Sequence, residues 1–152
     1  MDGKDGSTLI LQETNLTLIT HTAPNMKIKL TNVLVDDQEK ALKFYTEVLG
    51  FMKKTEVPLG QHKWLTVVAG DEQDGPELLL EPMAFEPARI YQKALFEAGI
   101  PSNTFNVADI EKEYQRLVKL GVEFSIEPTS MGAVTVAVFK DTCGNNIQLL
   151  QI

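Results

Sequence analysis

The chain writes one layout twice, and that repetition limits what it can fold into more than any other feature. "VDDQEKALKFYTEVLGF" runs from Val35 to Phe51, and "VADIEKEYQRLVKLGV" runs from Val107 to Val122. Each copy has a valine able to end a strand, an Asp two residues later, an amphipathic helical run, and a Gly followed by an apolar residue. Val35 and Asp37 recur as Val107 and Asp109, 72 residues on in both cases. A unit that recurs at a fixed interval is one supersecondary block that buries its apolar face against its copy.

The punctuation around the copies is regular. Lys27–Val35 is β-branched and apolar enough for a strand. Asp37 is placed to cap a helix, with Glu39 favourable in its first turn. Ala41, Leu42, Tyr45, Val48 and Leu49 recur at helical spacing as one apolar stripe. Gly50 suits the left-handed position that ends a helix. Three strands follow at Phe51–Val57, His62–Ala69 and Glu77–Glu81, separated by the turn-rich "PLGQ" and "GDEQDGP". The second copy repeats the order. Ser102–Val107 is a strand, Asp109 caps a helix striped by Ile110, Tyr114, Leu117 and Val118, and Gly121 stops it. Strands then run at Val122–Ile126, Val134–Phe139 and Asn146–Leu150. "TVVAGDEQDGPELLLE" sets against "VAVFKDTCGNNIQLLQ" at an interval of 70, pairing Val68 with Val138 and Asp71 with Asp141.

The reading is therefore α+β: two βαβββ modules, one over residues 26–83 and one over 101–152. Between them "FEPARIYQKALFEAGIP" reads as a connector helix within 84–100, with Pro87 in its first turn and Gly99 at its end. Residues 1–25 have short apolar stretches broken by Pro24 and Asn25, and read as an appendage to a single domain that begins at Met26.

Charge and composition narrow the partners. A net charge of −7, with 14 scattered Lys and Arg, argues against nucleic acid, because displacing counterions from phosphates needs a basic face. No apolar run approaches the roughly 20 residues of a membrane-spanning helix, and "MDGKDGSTLILQ" lacks the pattern of a secretory signal. A single cysteine, Cys143, cannot form an internal disulfide, which fits a cytoplasmic protein.

Two βαβββ units, "FYTEVLGF" after the first strand and "DTCGNNIQLLQ" at the end resemble the vicinal oxygen chelate superfamily, which includes glyoxalase I, bleomycin-resistance proteins and extradiol dioxygenases. The resemblance covers Lys27 to Gln151. It implies that each module curls its four strands into half a cup and that the mixed sheets surround a cup-shaped cavity. It also implies a homodimer, with sheets closing across a two-fold axis or modules exchanged between chains. Metal enzymes of the group place ligands on the first and last strand of each module. Carried over, those positions are Leu30 and Ser102 on the first strands. On the last strands they are Gln148, where the pattern normally has Glu, and, by the interval of 70, Leu78. None carries His, Glu, Asp or Cys, so no metal and no cofactor is expected.

The remaining candidates are weighed against plainer roles. His62 reads as a surface histidine after a turn rather than a base or ligand, and His21 lies in the appendage. Glu77 and Glu81 share strand parity. They read as bracketing a strand at its solvated ends, with Leu78 and Leu80 facing the cavity; the other reading makes them paired carboxylates for acid–base work. Cys143 has no histidine or basic sequence neighbour, so a thiolate nucleophile is disfavoured. Trp64, set against Val134 in the duplicated register, offers a flat platform for a planar or cationic ligand if it lines the cup rather than the core. Asn32, Thr66, Thr104, Asn106 and Gln148 share its inferred face. An apolar wall with neutral hydrogen-bonding groups suits a small-molecule ligand, such as a toxic or antibiotic-like compound held in sequestration. The rival is a glyoxalase-like lyase or isomerase, or a ring-cleaving dioxygenase, with a metal held by His62, Glu77, Glu81 and Gln148. A third reading fills the cup with its own side chains.

Overall fold

The computed structural model describes residues 25–152. The expected appendage, with His21, lies outside the described residues except for Asn25. Module one comprises β1 (Leu30–Val35), the helix α1 (Gln38–Lys43) continued by a π-helical turn (Phe44–Val48), β2 (Met52–Leu59), β3 (His62–Val68) and β4 (Glu77–Pro82). The connector is the helix α2 (Glu86–Glu97). Module two comprises β5 (Pro101–Asn106), the helix α3 (Ile110–Lys119), β6 (Phe124–Met131), β7 (Val134–Lys140) and β8 (Asn146–Gln151).

The duplication holds in the pairing. Each module is a four-stranded sheet, in the orders β1-β4-β3-β2 and β5-β8-β7-β6. In each the first strand runs parallel to the last and the other neighbours are antiparallel. Asp37 and Asp109 cap their helices as the sequence implies. Asp37 accepts from the amides of Glu39 and Lys40, and Asp109 from that of Lys112. Gly50 and Gly121 end the helical segments at φ of 87° and 84°, a region that glycine enters without steric cost.

The copies differ in two lengths. Asp37 to Gly50 is one residue longer than Asp109 to Gly121, and module one alone has the π-helical turn. An inserted residue in a helix is accommodated by such a turn, which widens one loop of the backbone ladder instead of breaking it. The turn between β3 and β4 spans residues 69–76, whereas that between β7 and β8 spans 141–145. Three extra residues in module one change the interval between equivalent strands from 72 to 69 across that turn. Thr66 and Leu79 pair as Val138 and Gln148 do, and Asn32 and Leu79 as Thr104 and Gln148. The structural counterpart of Gln148 is thus Leu79, not Leu78. The counterpart of Trp64 is Val136, not Val134, because Val57–Trp64 corresponds to Thr129–Val136.

One core joins the modules. Val33, Leu65 and Leu80 from one sheet meet Ala137, Ile147 and Leu149 from the other, with Tyr45 and Leu117 of the helical segments between them. Tyr45 of the apolar stripe and its neighbour Phe44 are buried there, on the helical side of the sheets. Where β1 and β5 meet, Asn103 Nδ2 donates to the Asn32 carbonyl at 3.2 Å. Among the described residues no helix is long and apolar enough to cross a membrane.

Candidate functional site

Side-chain alternation divides each sheet into a face toward the core and a concave face turned away from it. Leu30, Asn32, Trp64 and Thr66 have the parity opposite to the core residues Val33, Leu65 and Val67 and so lie on the concave face of module one. Thr104, Asn106 and Gln148 do the same in module two, opposite Phe105, Ile147 and Leu149. These concave residues were expected there. Leu78 and Leu80 were expected there as well, but both are in the core, 5% and 0% exposed, and the concave positions of β4 are Glu77, Leu79 and Glu81. The correction has a simple cause. The interval of 70 ignores the longer turn of module one, and one residue of error turns a strand over.

The concave face is open along its outer strands, while Thr66 and Leu79 at its centre are buried. Trp64 is 39% exposed, and its neighbours on the outer strand, Val57 and Leu59, are also exposed. Met131 and Ile126 are exposed on the corresponding strand of module two. Where β1 meets β5, a notch of about 240 Å³ brings Asn32 and Ser102 together beneath Tyr91 and Leu95 of α2. Gln148 Nε2 donates to Thr104 Oγ1 at 3.3 Å in module two.

The carboxylates of β4 have distinct surroundings. Glu77 accepts from Thr66 Oγ1 at 2.7 Å and lies 3.4 Å from Lys29 Nζ. The Thr66 hydrogen bond, then Lys29, holds its carboxyl below the ordinary carboxylate range. Glu81 accepts from Asn32 Nδ2. Near Trp64, β3 and β4 pair directly only at Thr66–Leu79 and Val67–Leu78. Beyond that point the side chain of Gln38 takes over. Its Nε2 donates to the carbonyls of Lys63 at 2.7 Å and Leu80 at 2.9 Å, and its Oε1 accepts from the Lys63 amide at 2.9 Å.

The metal-ligand positions do not fit a metal. With the register corrected they are Leu30, Leu79, Ser102 and Gln148: two hydrocarbons, a hydroxyl and a neutral amide, which cannot offset the dehydration of a dication. The alternative set of His62, Glu77, Glu81 and Gln148 is spread over both modules. Among the described residues no three His, Cys, Asp or Glu side chains are grouped to hold an ion. Cys143 is buried, and burial together with the Asp141 charge pushes its thiol up to about 12, so the inert reading stands.

The sequence motifs hold the modules together. Tyr45 of "FYTEVLGF" donates through its hydroxyl to Asp141 Oδ2 of "DTCGNN" at 2.9 Å. Asp141 also accepts from the amides of Cys143 and Asn145, each at 2.8 Å, and from Asn145 Nδ2. Burial raises its carboxyl above the usual range and, with Asp141 nearby, raises the Tyr45 phenol well above its own. Gln92 of α2, buried, donates to the carbonyls of Leu34 and Cys143, both at 2.9 Å, and so links the two modules. None of this bridging was visible in the sequence. Its one signal was a lone polar residue, Gln92, on the connector's buried side.

The comparisons agree with this architecture. The profile of the Glyoxalase/Bleomycin resistance protein/Dioxygenase superfamily matches residues 19–149. The chain belongs to that superfamily. It is 57% identical over 126 residues to the uncharacterized protein YurT of Bacillus subtilis (strain 168), covering 83% of this chain and 99% of that protein. Among solved structures it is similar to UcmS2, with 30% identity and a TM-score of 0.73 over 84% of this chain and 98% of that one. It is also similar to TnmS3, an antibiotic binding protein from Streptomyces sp. CB03234, with 27% identity and a TM-score of 0.67 over 83% and 95% of the two chains. The superfamily motifs carried by this chain lie at the inter-module bridge, which is why they identify the fold and leave the chemistry open.

Proposed function

We propose that this member of the superfamily binds a small organic molecule on its concave face without a metal, in the manner of a sequestering protein. The observation that carries the reading is the substitution of Leu30, Leu79, Ser102 and Gln148 at the positions where metal enzymes of the group hold an ion. An exposed tryptophan beside apolar strand residues then supplies area and a flat surface, and neutral amides and hydroxyls supply orientation. The similarity to an antibiotic binding protein supports a planar, antibiotic-like ligand.

A single chain leaves this face open, and a second copy is the occupant that closes it. Module one offers Trp64 and Val57; module two offers Ile126 and Met131. A two-fold pairing that sets one wall against the other buries these exposed apolar side chains and encloses two equivalent sites.

Trp64 is the sole tryptophan, so its fluorescence reports directly on the site. Titration with planar antibiotics is expected to quench it saturably, with one ligand per chain by equilibrium dialysis. Sedimentation is expected to give a dimer, and elemental analysis no stoichiometric divalent metal. Turnover of a dicarbonyl–thiol adduct that depends on a bound transition metal would overturn the reading.

A further inference from the structure

The concave faces differ in charge. In module two the β8 positions equivalent to Glu77 and Glu81 are Asn146 and Leu150, both neutral. Module one carries the two carboxylates, and they are not alike. Glu77 is answered within the protein by Thr66 and Lys29. Glu81 has only a neutral partner, Asn32, and no lysine or arginine among the described residues forms an ion pair with it.

The Asn32 contact fixes the polarity of this patch. A carboxylate can only accept hydrogen bonds, so the Asn32 amide must turn its nitrogen to Glu81 and leave its oxygen as an acceptor. Trp64 shares the face on the neighbouring strand, across the gap bridged by Gln38. A carboxylate, an amide oxygen and an indole face are all electron-rich. Their common complement is a donor-bearing cation attached to an aromatic body, held by charge-assisted hydrogen bonds at one end and by stacking or cation–π attraction at the other.

Building on the binding reading above, we propose that Glu81, Asn32 and Trp64 form a subsite for the protonated amine of a planar aromatic ligand. The ammonium sits on the Glu81 carboxylate and the Asn32 amide oxygen, and the ring lies on Trp64. Glu77, already neutralised by Lys29, takes no part in the preference.

A matched pair of probes tests this: daunorubicin, which carries a protonated amine, and N-acetyldaunorubicin, which does not. Binding is read by quenching of Trp64 and by equilibrium dialysis. The amine is expected to bind at least about tenfold more tightly, the scale of one charge-assisted hydrogen bond. Glu81→Gln is expected to bring the two affinities together, mainly by weakening the amine, and the preference should shrink in high salt. Glu77→Gln is expected to keep it. Trp64→Leu, followed by dialysis, is expected to weaken both compounds. Equal affinity of the two for the unaltered protein overturns the amine subsite and leaves the binding reading intact. A preference that survives Glu81→Gln overturns the assignment to Glu81. If neither compound binds, the subsite falls together with the binding reading.

Discussion

Module one and module two share their strand order, parallel first–last pairing and capping aspartates, yet their inter-module corners are built differently. At one corner Asp141 follows β7 and accepts four hydrogen bonds, one from Tyr45 of the opposite module. At the equivalent corner Ala69 follows β3, and Leu117 stands where Tyr45 does when counted from the capping aspartate. There the chain leaves a largely apolar cleft of about 210 Å³, lined also by Phe51 and Phe105. The same fold thus tolerates a buried polar bridge at one corner and an apolar gap at the other. The difference teaches that duplicated topology is held by the shared core, while each corner is free to acquire its own chemistry.

The largest test of that contrast is Asp141→Ala, which gives one corner the residue the other already has. It leaves the Tyr45 hydroxyl and two buried backbone amides without an acceptor, so a loss of about 3–5 kcal/mol in urea unfolding is expected. Smaller is the contrast between the two faces of module one. Leu80→Ala opens a core cavity and is expected to cost about 2–5 kcal/mol, whereas Leu30→Ala on the concave face, where the side chain is already 40% exposed, should stay within about 1 kcal/mol. Similar costs at both positions would break the assignment of faces. Gln38→Ala removes the side-chain bridge between β3 and β4 and is expected to cost about 1–3 kcal/mol, chiefly from the Lys63 amide and the carbonyls left behind. The last effect vanishes at neutral pH. Cys143 is raised from 9.0 to about 12 in the fold, so its contribution is intact below pH 9 and is lost as pH climbs toward 12. Tyr45 adds to the same trend. The urea midpoint should hold steady from pH 7 to 9 and then fall, and Cys143 should resist iodoacetamide until the protein unfolds.

Most of the framework was legible. Helix caps and helix ends follow from Asp37, Asp109, Gly50 and Gly121, because capping and left-handed turns are local chemistry, and the succession of strands and helices follows from the repeat. The faces of β4 were not. "ELLLEP" has three leucines in a row, and a strand apolar on both sides has no alternation to read. Only the unequal turns, 69–76 against 141–145, held the register, and an ungapped comparison passed over them. Hence in the sequence Leu78 and Leu80 turn to the wrong side, and Glu81 reads as a solvated strand end instead of a concave-face residue. The Tyr45–Asp141 and Gln92 contacts were hidden for another reason: they join residues about 50 to 100 positions apart, and no local pattern encodes such a meeting.

Gln38 has a consequence for how this family of shapes diversifies. Beside Trp64 the spacing of two strands is held by the length of one side chain instead of by successive backbone pairs. Asparagine there, shorter by a methylene, would draw the strands together or part with them, and an acid would repel the two carbonyls it now grips. The width of the platform offered to a guest can therefore drift through single codon changes while the rest of the sheet stays as it is.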